Sequence, residues 1–220
     1  MVIATSTPYF IPLIIIIILT GGLVWTIRQP GPKSIDLFKF VLLYALVTTS
    51  WYNLQHNPHL IMWLCNFTAI LALILAFTFN QIVFDICFYF AWTGDVFTLL
   101  VFDNPVAPPL ESYPLAWTGF IMKHIGPLLL TIHLIKNNHQ KLSRKAFKTV
   151  ILTMIIYTAG IAVYNLVFNQ NILDLRWATL PLEQSFGPWP IYVIINMTIA
   201  LGWFLAIFAV TKRLKIIAGN

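Results

Sequence analysis

Cys65 carries a thiol, His124 an imidazole, Asp95 a carboxylate and Lys123 an amine, and each falls inside an otherwise apolar stretch, as do Asn66, Asn165 and Asn196. If those stretches are membrane spans, an ionisable group in them costs at least about 2.5 kcal/mol, so each is a functional candidate by default. A thiol attacks at neutral pH only with an adjacent base or cation to favour its thiolate. Side-chain amides can donate to a developing oxyanion. Every one of these residues also has a quieter reading. A lone membrane Cys is often a small hydrophobe, and a lone His or Asn often an interhelical hydrogen-bonding group. Asp95 and Lys123 can form a structural ion pair, since buried charges seek partners.

The elements that must position these groups follow from composition. Of 220 residues, 59% are hydrophobic and 9% charged, against about 25% charged in ordinary soluble domains. So apolar a chain needs a lipid solvent. A bilayer span takes about 20 apolar residues, so seven would use about 140 and leave only short loops around one membrane domain. The fold class expected is therefore an all-α, polytopic membrane helix bundle. Breakers and charges divide it into spans at about 8–27, 35–55, 59–79, 82–102, 115–135, 147–168 and 189–210. Arg28-Gln-Pro-Gly-Pro-Lys33 ends the first, Asn80-Gln81 turns the third into the fourth, and a Pro-rich loop from Asn104 to Pro114 follows the fourth. Ile11–Leu19 lacks a positive leader and no small-x-small site follows, so the first span is expected to be retained.

The net charge of +6 does not indicate a nucleic-acid partner, because the basic residues cluster beside the spans as membrane topology requires. Eleven of the 13 lie in the first loop (Arg28, Lys33, Lys39), the loop after span five (Lys136, Lys141, Arg144, Lys145, Lys148) and the tail (Lys212, Arg213, Lys215). Seven spans put all eleven on one side, which is then cytoplasmic, with the amino terminus outside. The other side has Arg176 with Asp103, Glu111, Asp174 and Glu183; Lys123 lies within span five.

Depth along each span, at about 1.5 Å per residue, places the candidates in one layer. Cys65 and Asn66 fall about 9–11 Å from the outer end of their span, Asp95 and Asn196 about 10 Å, and Lys123 and His124 about 12–14 Å. Asn165 lies about one turn in, and the inner half holds chiefly Asp85. This asymmetry implies a cavity open to the outer leaflet. Cys65 and Cys87 differ too much in depth to form a disulfide, so Cys65 is expected to be a free thiol and Cys87 a packing residue. His56 and His59 could ligate a metal but flank Pro58 with no carboxylate or Cys beside them. No metal site and no cofactor motif is expected.

Three segments resemble a known group. Leu60-Ile-Met-Trp-Leu-Cys65-Asn66, Phe120-Ile-Met-Lys-His124 and Phe186-Gly-Pro-Trp-Pro-Ile-Tyr192 resemble, in order and spacing, segments of the bacterial YwaF-type integral membrane proteins. That group is similar to the vertebrate transmembrane protein 164 family of Cys/His acyltransferases acting on lysophospholipids. The resemblance covers roughly Phe40 to the end of the chain. It implies a Cys/His role for Cys65 and His124, membrane lipids as substrates, and an Asn-Tyr position at Asn165. Trp63 stands where the bacterial proteins tend to have His, Asn66 where they often have Asp, and Val101-Phe102-Asp103 where they have Thr-Pro-Asp.

The expectation is a lipid acyltransferase of the cell membrane in which His124 takes the proton of Cys65 and a thioester forms. Asn66 or Asn196 would serve the oxyanion, Asp95 would orient His124, and Lys123, about 100° around the helix from His124, would reach a lipid phosphate. Two non-enzymatic alternatives stand beside it: a small-molecule transporter or lipid-binding protein using the same polar layer, and an accessory subunit of a homo-oligomer or larger membrane assembly.

Overall fold

The computed structural model describes residues 10–28, 34–100, 107–179 and 181–218. The start of span one at Pro8, the turn through Lys33, the end of span four at Phe102 and the Val101-Phe102-Asp103 segment lie outside them. The described residues are helical. Helices run α1 Phe10–Arg28, α2 Ser34–His56, α3 Leu64–Phe77, α4 Gln81–Phe90, α5 Val96–Leu100, α6 Pro114–Asn137, α7 Ala146–Phe168, α8 Pro181–Ser185 and α9 Ile191–Arg213. No strand occurs among them; Leu142 and Ile217 alone form an isolated parallel bridge. Five helical stretches are long and apolar enough to cross a membrane: Ile35–His56, Gln81–Leu100, Pro114–Asn137, Ala146–Phe168 and Ile191–Arg213.

Span three departs from the expected continuous helix. Asn57 accepts the His59 N–H at 3.2 Å and Pro58 follows it, so the cap starts a short 3₁₀ turn, Pro58–Met62. Trp63 is then extended, and α3 begins only at Leu64. Its 14 residues span about 21 Å, short of a hydrocarbon core of about 30 Å. Cys65 is therefore in the first turn of a helix rather than partway down one. Span four departs too: α4 widens into a π turn at Ala91–Asp95 before α5.

Without a hydrophobic force between helices in lipid, small residues let backbones approach and packing hold them. The α2–α6 interface uses this. A Cβ at Gly119 would sit 2.0 Å from the Thr48 hydroxyl, and one at Gly126 2.8 Å from Leu42. The two glycines lie seven residues apart, two turns along α6, and both face α2. The core gathers Phe38, Leu42, Leu75, Phe84, Tyr89, Phe90 and Leu130. By contrast α7 and α9 show apolar side chains outward, among them Ile155, Ile156, Leu166, Ile194 and Leu205. Helices this apolar all round are suited to hydrocarbon.

Gly119→Ala should lower the apparent melting temperature of the detergent-purified protein by overpacking worth about 1–3 kcal/mol. Gly160→Ala, where nothing lies within 4 Å, should leave it unchanged or raise it slightly. Equal responses would show that close α2–α6 approach is not what the glycine provides.

Candidate functional site

The π turn carries Asp95 and is braced from two helices. Trp203 of α9 donates to the Trp92 carbonyl at 2.9 Å, and the Trp92 indole donates to Thr131 of α6 at 3.2 Å. A π turn holds one residue more than an α turn, which re-aims every side chain after it. Asp95 is thereby turned onto α6, where its carboxylate meets His124 Nδ1 at 2.8 Å, both side chains essentially inaccessible to solvent. With Asp95 ionised, Nδ1 carries the proton and Nε2 presents a lone pair. Among the described residues, His124 Nε2 and Asp95 Oδ2 have no hydrogen-bond partner. The Phe120 ring meets the imidazole edge-on at 4.7 Å.

Lys123 is buried with them. Its ammonium donates to Asn66 Oδ1 at 3.0 Å and lies 5.3 Å over the Phe120 ring. The expected reach of Lys123 to an interfacial phosphate is therefore corrected: in hydrocarbon a buried amide oxygen is the nearer partner, and it holds the side chain inward. Asn66 completes the bridge by donating to the Leu60 carbonyl at 2.8 Å, across the α3 break. One of its two amide hydrogens is thus committed, while Lys123 retains further donors. Cys65, a half-buried free thiol beside Asn66, has Lys123 and Asp95 as the charges within electrostatic reach. A cavity of about 20 Å³, lined by Thr49, Asn53, Trp63, Cys65, Asn66 and Lys123 among others, lies against it. That is room for about one water. His124 does not line this cavity.

Five of the seven candidates thus meet in one cluster. The other two are committed elsewhere. Asn165 pairs with both backbone groups of Ile172 at 2.9 Å, and Asn196 donates to Glu183 at 2.8 Å. Equal depth did not mean contact, because both amides serve the loop between α7 and α9. The Gly-Pro-Trp-Pro segment serves it too. Gly187 adopts φ +109°, a conformation open to glycine. Trp189 donates to the Leu175 carbonyl at 3.0 Å and Tyr192 to that of Asp174 at 2.9 Å. His56 and His59 bind the Tyr113 and Tyr164 hydroxyls at 2.9 and 2.7 Å. Among the described residues, no group of three His, Cys, Asp or Glu could hold a metal. Cys87 is a buried free thiol, as expected of a packing residue.

Sequence reasoning missed the α3 break and its tie to α7, where Tyr157 donates to the Met62 carbonyl and stacks on Phe67 at 5.5 Å. Asn57-Pro58 was the signal: a capping residue followed by Pro starts a new helix.

The fold and site define a class: an all-helical membrane protein with an Asp–His pair and a Lys–Asn pair buried beside a free thiol. The chain belongs to the TMEM164 family, whose model matches residues 4–208. That match carries the transmembrane protein 164 part of the resemblance drawn from the three motifs. No curated protein and no solved structure matches the chain.

The loop between α7 and α9 generates a pH prediction. Burial, with a smaller push from Glu183 and against the Thr179 hydrogen bond, raises Asp174 to about 6. A carboxyl whose folded value lies above its unfolded one binds its proton more tightly when folded, so stability is lost as pH rises through that window. Asp174→Asn keeps an oxygen for Asn171 and Thr179, which both donate to Oδ1. The variant should match the parent in melting temperature below about pH 4, gain on it as pH rises from about 4 to 6, and keep that excess above. A difference constant across that range would sink the assignment.

Proposed function

We propose that the chain is a lipid acyltransferase that carries an acyl group between phospholipids as a thioester on Cys65. The observation that carries this reading is the buried Asp95–His124 hydrogen bond, which leaves His124 Nε2 as an unpartnered acceptor one residue from the Lys123 that neighbours Cys65. The resemblance of the Cys65 and His124 segments to a Cys/His acyltransferase family supports it independently.

Chemically, the Cys65 thiol gives its proton to His124 Nε2, and the thiolate attacks the carbonyl carbon of a phospholipid ester. Lys123, with donors to spare, faces the negative charge that gathers on the carbonyl oxygen. Collapse breaks the ester C–O bond, and the leaving lysolipid oxygen takes the proton back from His124. A hydroxyl of a second lysolipid then loses its proton to His124 and attacks the thioester, which restores the thiol. The Cys65 cavity holds about one water, so an ester enters only if the site widens, and the thiol and imidazole must be brought together with substrate bound. A second reading, a non-enzymatic lipid-binding or transport protein, has one observation in its favour. An apolar groove of about 560 Å³ runs between Trp92, Ile132, Trp203 and Ile207, with Lys136 at its edge.

Intact-mass spectrometry of purified protein with mixed phospholipids separates the two readings. Acyl transfer predicts a hydroxylamine-sensitive mass gain of one acyl chain, absent in Cys65→Ser and in His124→Ala, with both variants folded. Undiminished lipid remodelling in both variants would end the acyltransferase reading.

The same reading takes the chain across the cell membrane seven times as a single domain, amino terminus outside and carboxy terminus in the cytoplasm. The crossings beyond the five long helices are then α1 and the Pro58–Phe77 segment. Seven crossings would gather eleven of the 13 basic residues on one side, as membrane topology favours, and this supports it. In a Cys65→Ser background, Glu111→Cys should react with an impermeant maleimide in intact cells, and Asn138→Cys only after permeabilisation. The opposite pattern would invert the topology.

A further inference from the structure

The cavity beside Cys65 holds two polar side chains that the Cys65 and His124 chemistry leaves unused. Asn53, near the end of α2, is 5% exposed, and its side-chain amide forms no hydrogen bond with any described residue. Trp63, extended at the break before α3, buries an indole N–H that likewise has no partner among them. Both line the cavity together with Cys65, Asn66 and Lys123. Thr49, one turn before Asn53, lines it too, but spends its hydroxyl hydrogen on the Ala45 carbonyl at 2.7 Å. Buried polar groups in native structures are nearly always paired, so two orphans around one small cavity have a reason to be there.

The chemistry of the lining narrows what can pair them. An indole N–H donates and never accepts. Trp63 moreover holds the capping position of α3 and makes no side-chain cap bond. Ser, Thr, Asp or Asn in that position would accept from the helix's first N–H groups, which lack intrahelical partners. A donor stands instead in front of donors. Lys123 gives one hydrogen to Asn66 and keeps others, and Asn53 has two amide hydrogens to give. An oxygen that accepts several hydrogen bonds at once is the partner that suits this set. The volume of about 20 Å³ admits about one oxygen atom and is too small for a phosphate group.

We infer that Asn53 and Trp63 bind the ester carbonyl of the substrate beside Cys65, as two donors of an oxyanion hole that Lys123 completes. The inference rests on the acyl-transfer reading of Cys65 and gives it two further catalytic residues. When the thiolate adds to the ester carbon, a C–S bond forms and the C=O π pair moves onto the oxygen. The indole and amide N–H groups hold that charge in a buried site, where preorganised donors are most effective. Collapse returns the pair to the C=O bond, breaks the ester C–O bond and leaves the alkoxide to take its proton from His124. The same donors serve the second half, when a lysolipid hydroxyl adds to the thioester carbonyl. Only the oxygen needs the present room; the acyl chain behind it takes the widening of the site.

Two reactions of the same thiol test it on the full chain in detergent. One is single-turnover thioester formation with mixed dioleoyl phosphatidylcholine, phosphatidylethanolamine and phosphatidylglycerol, read by intact mass. The other is alkylation of Cys65 by iodoacetamide, read by peptide mass, which places no charge on an acyl oxygen. Trp63→Phe and Asn53→Leu each remove the N–H and keep bulk. Each should slow thioester formation about a hundredfold while changing alkylation by less than about twofold. Equal slowing of both reactions would overturn the assignment, because a group that only orders the cavity or the thiol acts on both. Thioester formation at the parent rate in both variants, with Cys65→Ser inactive, would overturn it and leave acyl transfer standing. No thioester in the parent, or undiminished lipid remodelling in Cys65→Ser, would end both. If Trp63→Phe is not monodisperse, Asn53→Leu decides by the same criterion.

Discussion

In a solvent without water, a carboxylate and an ammonium cannot be left unpaired, and this constraint organises the cluster around Asp95 and Lys123. Asp95 and Lys123 have opposite charge and lie near enough to act on one another, yet neither is spent directly on the other. Asp95 is given to His124 and Lys123 to Asn66. With both groups ionised, dividing one ion pair into two charge-assisted hydrogen bonds leaves their charges balanced while engaging four side chains from three segments. Each charge then does a different task. The carboxylate sets the imidazole's tautomer, and the ammonium sits over the residue beside the thiol.

The cluster costs the fold stability that must be recovered elsewhere, because buried ionic groups seldom repay their own desolvation. The recovery lies in packing. Gly119 and Gly126 bring α2 against α6, the helix that carries both Lys123 and His124. The Trp92 and Trp203 indoles satisfy groups around the π turn that would otherwise stay open. A polar site in lipid thus needs tight, small-residue helix contacts around it, and this one has them on the α2 side while α9 packs more loosely.

The long helices were legible because apolar runs bounded by Pro, Gly, Asn and Lys leave few alternatives; α2, α6, α7 and α9 fall within two or three residues of expectation. Cys65, Asn66, Asp95, Lys123 and His124 were legible as a group because a polar residue in hydrocarbon is conspicuous. Contact was not. Depth is one coordinate of three, so Asn165 and Asn196 lay in the expected layer and yet bind the loop between α7 and α9. The π turn has no marked sequence signature: Ala91-Trp-Thr-Gly-Asp95 reads as ordinary helix, and only bracing by distant tryptophans reveals it. The inward turn of Lys123 was hidden for a related reason, since its partner Asn66 is brought near by a helix break at Trp63.

The helical stretch from α4 through the π turn ties these matters together. Gln81 and Asp85, at its start, hold the Lys141–Ser143 loop in place; fourteen residues on, at the end of the π turn, Asp95 holds His124. The separation is about 21 Å along the axis. A helix is stiff over that length, so the frame that gathers the basic loop and the segment that aims the catalytic candidate share one rigid support. The π turn is the one place between them where the helix departs from regular geometry, and it is fastened to α6 and α9 rather than left to give. The same bracing that presents Asp95 to His124 therefore also fixes the angle at which α4 meets the basic face, so neither arrangement can be altered by moving α4 without disturbing the other.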